Sequence, residues 1–256
     1  GYQVNSICYS AYLSQRDAEE FAYLFKLIGV EIEYDTITGM IEKRVINSPK
    51  DLRELTQQFI ATNGAFVNDD AAADASASKK VCIIDEVDVL FGEGFYGSLH
   101  QPSVLVANAA ISTFVKALWD QHIASPNDSI SFARVKAMPD YQVLSKLYER
   151  FTFLLEGEVS KMLLDLNGSV YAKSKGHDYV LNKGQIGYFD QDQFVDNKVQ
   201  GYKTLWAAFY EHKLGKVSKD NLEERIGLSV NCGAFSYSRI FKDMEDTLKL
   251  GVSGTL

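Results

Sequence analysis

Three carboxylates close behind a short apolar run are the residues of this sequence best placed to do chemistry. Val81 to Ile84 are all apolar, and Asp85, Glu86 and Asp88 come next. An uninterrupted apolar run of this length is typical of a buried parallel strand, which delivers the acids to one edge of a sheet. In nucleotide hydrolases the first acid of such a pair holds Mg²⁺, usually through water, and the second positions or activates the attacking water. Asp85 and Glu86 fit these two roles; the alternative is a strand that ends in a solvated acidic turn.

Composition limits the classes of protein to which the chain can belong. With 256 residues and 46% hydrophobic content, the chain can bury one large core or two smaller ones, so we expect a globular protein. A net charge of −8 argues against a main interaction with a phosphate backbone, so no nucleic acid is expected as a partner. No apolar run approaches the roughly 18 residues that span a bilayer, and any membrane contact is expected to be peripheral.

Cysteine and histidine usage predicts a reduced, zinc-free protein. Cys8, Cys82 and Cys232 lie far apart without a C-x-x-C pair, which favours reduced core thiols and a cytoplasmic location. The four histidines are scattered without the short spacing of zinc ligands, so we predict no zinc site. They are His100, His122, His177 and His212.

The first part of the chain has the pattern of a βαβ unit. Residues 4–9 are rich in strand formers, and residues 14–17 have the composition of a capping box that opens a helix ending at Gly29. Residues 30–34 then alternate as a second strand, so the opening predicts a parallel sheet. The apolar positions of the helix recur at i, i+3, i+4 and i+7, and they are Phe21, Leu24, Phe25 and Ile28.

Further along, glycines at 92, 94 and 97 indicate that the chain leaves the sheet, and we place a domain boundary near Leu99. Helical stripes follow from Ile111 and from Pro139, and the turn at Asn182–Gln185 predicts a hairpin. Ile240, Met244 and Leu248 are spaced as in a last helix. The glycine-rich residues 251–256 indicate a loop at the edge of a site.

Four separated segments resemble motifs of one family, the SecA preprotein translocase ATPases and in particular the divergent SecA-like proteins. Residues 10–19, Ser-Ala-Tyr-Leu-Ser-Gln-Arg-Asp-Ala-Glu, resemble the family's Tyr-Leu-Ala-x-Arg-Asp-Ala-Glu segment. Residues 84–88, Ile-Asp-Glu-Val-Asp, are identical to a common form of its Walker B strand. Residues 177–184 are similar to its strand and turn returning from the preprotein-binding domain, and residues 251–255 to its Gly-Met-Thr-Gly-Thr motif.

The resemblance implies an α/β fold: a partial RecA-like P-loop NTPase sheet interrupted by an inserted α+β domain that clamps unfolded preprotein. It implies residues 1–98 for the first part of the nucleotide-binding domain, 99–200 for the insert and 201–256 for the return segment. A membrane translocation channel is a further implied partner. The implied cofactors are ATP and Mg²⁺, with Glu86 catalytic and Asp85 also holding Mg²⁺ through water. The implied cofactor-binding residues are Asp85, Asp88, Arg16, Asp17, Gly251, Ser253 and Thr255.

The sequence also departs from the family pattern. No stretch fits G-x-x-x-x-G-K-[ST], whose backbone N–H groups and lysine cradle phosphates, and Gly201 to Thr204 reads as an ordinary helix start. The family places this loop upstream of its Arg-Asp-Ala-Glu segment, so we expect it before Gly1. The second motor domain, with its arginine finger, would follow Leu256. The family's Asp-Glu-Ala-Arg-Thr-Pro is replaced by residues 91–97, Phe-Gly-Glu-Gly-Phe-Tyr-Gly.

Three functional hypotheses follow. The first is a fragment of a SecA-like ATP-driven translocation motor, in which this chain alone is inactive as an ATPase. The second is a non-catalytic polypeptide-binding module derived from the same fold. The third is a helicase of the same broad superfamily, against which the acidic charge balance and the inserted domain both argue. Arg16 and Asp17 are read either as an ion pair near a helix start or as a relay of motor movement.

Overall fold

A computed structural model describes residues 2–46, 51–65, 79–92, 95–168, 179–190, 193–195, 200–242, 244 and 246–254. In chain order its elements are β1 (Tyr2–Cys8), α1 (Ala11–Ile28), β2 (Ile32–Thr36), α2 (Ile37–Ile46), α3 (Leu52–Ala61), β3 (Lys79–Ile84), α4 (Val87–Leu90), β4 (Leu99–His100), β5 (Ser103–Val106), α5 (Ala109–Ala124), α6 (Phe132–Lys136), α7 (Pro139–Leu147), α8 (Thr152–Asn167), β6 (Tyr179–Asn182), β7 (Gln185–Asp190), β8 (Gln193–Val195), α9 (Gly201–Lys213), α10 (Lys219–Glu223), β9 (Leu228–Asn231), β10 (Phe235–Ser236), α11 (Tyr237–Ile240) and β11 (Thr247–Gly251).

The chain divides into two compact units. Unit 1 contains the described residues of 1–56, 67–103 and 231–256, and unit 2 those of 57–66 and 104–230. The division after Ser103 lies close to the boundary expected near Leu99, whereas residues 57–66, expected in the first segment of the nucleotide-binding domain, belong to unit 2. The return to unit 1 lies at Asn231 instead of residue 201, because α9 buries Leu205, Trp206 and Phe209 in the core of unit 2.

Unit 1 is built on a four-stranded parallel sheet with the strand order β11-β3-β1-β2. Val4 pairs with both Ile32 of β2 and Val81 of β3, and Leu248 of β11 also pairs with Val81. The predicted α/β class with a parallel sheet is therefore confirmed. A two-stranded antiparallel pair, β4 with β10, also belongs to this unit.

The core of unit 1 lies on one face of this sheet. Ile7 and Ile84 are direct neighbours on β1 and β3 and share that face, where they pack with Ile37 and Ile41 of α2. All four side chains are at least nine-tenths buried. Helix α2, which the sequence reasoning did not identify, therefore supplies much of the apolar cover of this face.

Helix α1 differs from its sequence prediction at its start. Ser10 is its N-cap, and the Ser10 carbonyl accepts a hydrogen bond from the Ser14 amide at 3.0 Å, so the predicted capping box at Ser14 is wrong. The helix ends as predicted at Gly29, whose φ of 68° is left-handed.

The predicted apolar face of α1 is only partly buried. Phe25 packs near the sheet, but Phe21, Leu24 and Ile28 remain 42%, 48% and 59% exposed. Ala18, on a neighbouring stripe of α1, lines a groove together with Val4 and Ile32 of the sheet.

The last predicted helix, through Ile240, Met244 and Leu248, is wrong. Helix α11 ends at Ile240, and residues 247–251 form strand β11. A spacing of four residues fits a helix, but it also keeps side chains on one face of a strand, so the pattern could not distinguish the two. Pairing with β3 decides in favour of the strand, because it satisfies backbone groups on that side of β11.

Unit 2 is mostly helical, with a core of aromatic and aliphatic side chains from α5, α7, α8 and α9. Trp206 of α9 stacks at 6.1 Å on Trp119 of α5. The helix predicted from Pro139 ends at Leu147, and α8 begins at Thr152 after a 3-10 turn. The predicted hairpin is present as β6 and β7, with positive φ at both Lys183 and Gly184. No helix within the described residues is long and apolar enough to cross a membrane.

Candidate functional site

The carboxyl end of the parallel sheet brings the sequence motifs of unit 1 together. In a parallel sheet all strands end at the same edge, so the residues that follow β1, β3 and β11 become neighbours. Ser10 follows β1 and caps α1, Asp85 follows β3, and Ser253 follows β11. This edge contains most of the residues that the sequence predicted for a site.

Asp85 is held by hydrogen bonds at its backbone and at its side chain. Its amide donates to the carbonyl of Ile7 at 2.8 Å, which joins it to the end of β1. Its carboxylate Oδ1 accepts from the amide of Glu86 at 3.0 Å. These bonds hold the Asp85 carboxylate at the carboxyl edge of the sheet.

Glu86 adopts a left-handed backbone conformation, with φ of 49° and ψ of 50°. For a residue with a Cβ this conformation costs about 1–2 kcal/mol. Such outliers persist where the surrounding structure enforces them, and they cluster at functional sites. The turn lets the chain leave β3 and enter α4 at once, with Asp88 in the first turn of that helix.

The motif after β11 is joined directly to the motif after β3. Ser253 Oγ donates to Asp88 Oδ1 at 2.5 Å. The backbone continues the contact, because the Val252 amide donates to the Ile84 carbonyl at 2.8 Å and the Val87 amide donates to the Val252 carbonyl at 3.0 Å. These hydrogen bonds hold together two segments that lie more than 150 residues apart in sequence.

Gly251 lies at this close approach. A Cβ built on it would lie 3.0 Å from Cγ2 of Val87 and 3.2 Å from its Cβ. A larger residue would fit only if Val87 or β11 shifted by a few tenths of an ångström. Thr255, the last residue of the predicted motif, lies outside the described residues.

Arg16 and Asp17 form an ion pair in the second turn of α1. The Arg16 Nη2 and Nε atoms lie 2.7 Å and 2.9 Å from Asp17 Oδ1, and this hydrogen bonding raises the pKa of Arg16. Burial raises the pKa of Cys8, and the negative charges of Asp85 and Asp17 raise it further. Asp17 and Asp85 are therefore both near Cys8, at the same end of the sheet.

The sequence reasoning did not identify the acidic group on β2, which consists of Glu33 and Asp35. Asp35 Oδ1 accepts from the Thr36 amide at 2.7 Å, and its Oδ2 lies 3.0 Å from Nζ of Lys43. Lys43 also pairs with Glu33. The hydrogen bond from Lys43 to Glu33 raises the pKa of Lys43, and the hydrogen bond to Asp35 raises it further. An acid at the end of an alternating strand was the signal that could have found it.

The oxygen-rich edge suits magnesium better than zinc. No group of three or more His, Cys, Asp or Glu side chains within the described residues could hold a metal ion by itself. Magnesium in nucleotide sites does not require such a cage, since it keeps several waters and takes one or two carboxylates together with substrate phosphates. The oxygen donors at this edge are the carboxylates of Asp85 and Asp88 and the hydroxyl of Ser253.

Comparison with protein-family models, with curated proteins and with solved structures finds no match for this chain.

Proposed function

We propose that this chain supplies the acidic half of a Mg-ATP hydrolysis site on a RecA-like sheet, in a protein-translocating ATPase of the SecA-like type. The observation that carries the proposal is the 2.5 Å hydrogen bond between Ser253 and Asp88. It joins the two sequence motifs that resemble the family's Walker B strand and its Gly-Met-Thr-Gly-Thr segment. A solvated acidic turn would need no such partner from a distant strand.

Each residue of the edge has a role in this proposal. Asp85 holds Mg²⁺ through water, and Glu86, in its left-handed turn, orients the attacking water and accepts its proton. The hydrogen bond between Asp88 and Ser253 links the position of the acids to β11, and Gly251 leaves room for β11 to lie close to Val87 of α4. Bound Mg²⁺ would neutralise charge on the transferring phosphoryl group. Arg16 and Asp17 relay the state of the site along α1.

The phosphates need a separate cradle. Clustered backbone N–H groups and a lysine perform this task in P-loop proteins, and no stretch of these 256 residues has the required pattern. In this proposal the loop lies upstream of Gly1, and the chain by itself does not hydrolyse ATP. Unit 2 is assigned the binding of an unfolded preprotein or other extended polypeptide, and a membrane channel is the proposed docking partner.

The test is ATP hydrolysis by the protein that carries its native upstream residues. We expect Mg-dependent turnover that Glu86→Gln abolishes, because the amide cannot accept a proton from the water. Glu20→Gln, at an exposed position of α1, is the matched control and leaves turnover unchanged. Undiminished turnover in Glu86→Gln would contradict the assignment of Glu86 as the catalytic residue of an ATPase.

The missing phosphate loop favours a second candidate, a non-catalytic module that binds extended polypeptide. This candidate predicts that an unfolded peptide binds to the chain with an affinity that Mg-ATP does not change. A nucleotide-dependent affinity in the upstream-extended protein supports the ATPase instead. Turnover stimulated by RNA would redirect the assignment to the helicase hypothesis.

A further inference from the structure

Helix α8 of unit 2 carries an outer stripe on the side that faces away from the core. The stripe consists of Phe153, Gly157, Ser160 and Leu164, all of them exposed and spaced i, i+4, i+7 and i+11. Phe153 and Leu164 are 93% and 75% exposed, whereas the buried residues of α8 lie on its other side. The spacing is that of the a and d positions of a coiled coil. The stripe therefore has the geometry of a helix–helix contact.

The middle of the outer stripe leaves room for a close approach. A Cβ built on Gly157 would meet no atom of the described residues within 4 Å outside the backbone of the helix itself. Glycine inside a helix costs about 1 kcal/mol relative to alanine, so local structure does not favour it there. The Ser160 hydroxyl already donates to the carbonyl of Glu156 at 2.7 Å, so its proton would stay paired under a cover. A second helix could lie close to these two small residues, with Phe153 and Leu164 packing at either end.

Two opposite charges flank the outer stripe and determine the direction of a partner helix. Glu156 directly precedes Gly157 and Lys161 directly follows Ser160, so they occupy the g and e positions on opposite sides of the stripe. Glu156 pairs with Lys136 at 2.7 Å, and the exposed Lys161 pairs with Glu158 at 2.7 Å. A carboxylate and an ammonium group can each bind more than one partner, so both can still pair across an interface.

The order of these two charges fits a parallel partner. In a parallel helix pair, a g residue of one helix lies beside the e residue five positions further along the other. In an antiparallel pair, g residues lie beside g residues and e beside e, so Glu156 and Lys161 would not meet. The stripe and its flanking charges therefore complement a second copy of the same helix in parallel register.

We propose that α8 is a self-association surface, on which a second copy of this chain docks its own α8 in parallel and in register. Each residue of the outer stripe meets its counterpart, and Glu156 of each copy lies beside Lys161 of the other. A two-fold axis forms both ion pairs at once. One helix pair buries less than the roughly 1,200 Å² of a standard interface, so the dimer is weak and depends on concentration. The inference concerns unit 2 alone and does not rest on ATP hydrolysis.

Sedimentation equilibrium of the 256-residue chain tests the association. We expect a reversible dimer whose Kd rises by about 10-fold or more in Gly157→Arg, because a long side chain does not fit between the two helices. The Tm of this variant at low concentration should not fall, since the space around Gly157 is open and arginine is the better helix former. Leu214→Asp, at another exposed apolar position of unit 2, is the matched control and leaves the Kd unchanged.

Disulfide cross-linking tests the direction of the pair. A mild oxidant should join two copies of Ser160→Cys, because position 160 of one copy faces position 160 of the other. The wild type, whose three cysteines are buried or half-buried, is the control and should stay uncross-linked.

Four results would overturn the proposal. The first is a chain that stays monomeric at every concentration, and the second is a dimer that Gly157→Arg leaves intact. The third is a dimer that Leu214→Asp disrupts, which would assign the contact to another surface. The fourth is a cross-link that forms only between Gly157→Cys and Ser160→Cys chains, which would show an antiparallel pair.

Discussion

Ser253 Oγ lies 2.5 Å from Asp88 Oδ1, so a serine following the last strand is hydrogen-bonded to an acid following the third. The bond lies at the carboxyl edge of a parallel sheet, beside Asp85 and Glu86. It makes the position of β11 depend on the acidic turn, and the position of the turn depend on β11.

A double-mutant cycle should measure this coupling. Ser253→Ala and Asp88→Ala should each lower the free energy of unfolding, and together they should cost less than the sum by about 1.5–3 kcal/mol, because hydrogen bonds to charged groups contribute about that much. Chemical denaturation of the four proteins gives the value. Strict additivity would show that the bond contributes nothing.

The backbone strain at Glu86 predicts an unusual gain from glycine. Glu86→Gly should raise the free energy of unfolding by about 1 kcal/mol, because glycine adopts a φ of 49° without a Cβ penalty. Glu20→Gly, inside α1, is the control and should lower it by about the same amount. Loss of stability in Glu86→Gly would mean that its side chain stabilises the turn.

Two glycines inside helices should respond oppositely to alanine. At Gly39 of α2, a Cβ would lie 1.9 Å from Oδ1 of Asp35, so Gly39→Ala should destabilise unit 1 by about 1–3 kcal/mol and disturb the contact of Asp35 with Lys43. At Gly157 of α8 no atom of the described residues outside the backbone of the helix itself lies within 4 Å of the added Cβ, and Gly157→Ala should stabilise by up to about 1 kcal/mol. Thermal unfolding distinguishes the signs.

The buried thiol of Cys82 makes stability fall at alkaline pH. Burial raises its pKa from 9.0 to about 11. Because the folded state favours the neutral thiol, the contribution of Cys82 to the free energy of unfolding is complete below pH 9. That contribution, up to about 2–3 kcal/mol, is lost as the pH rises through 11. We expect the unfolding free energy of the wild type to fall faster between pH 9 and 11 than that of Cys82→Ala. Cys232→Ala, at a half-buried thiol, should follow the wild type.

The sequence determined the local elements whose signals are short-range. The apolar run before Asp85 predicted a strand, Gly29 predicted a helix end with positive φ, and Asn182–Gln185 predicted a hairpin; all three are present. The predicted burial of that strand holds only at Cys82 and Ile84, because Val81 and Ile83 are partly exposed. Each depends on a pattern or a φ restriction within a few residues, so no distant contact is needed to recognise it.

Tertiary structure decided the features that depend on distant partners. Residues 247–251 are a strand because β3 offers a free edge, although their spacing also fitted a helix. Residues 201–230 belong to unit 2 because Trp206 is buried there. Ser253 meets Asp88 only because parallel strands end at one edge, which brings together residues that the chain itself holds far apart.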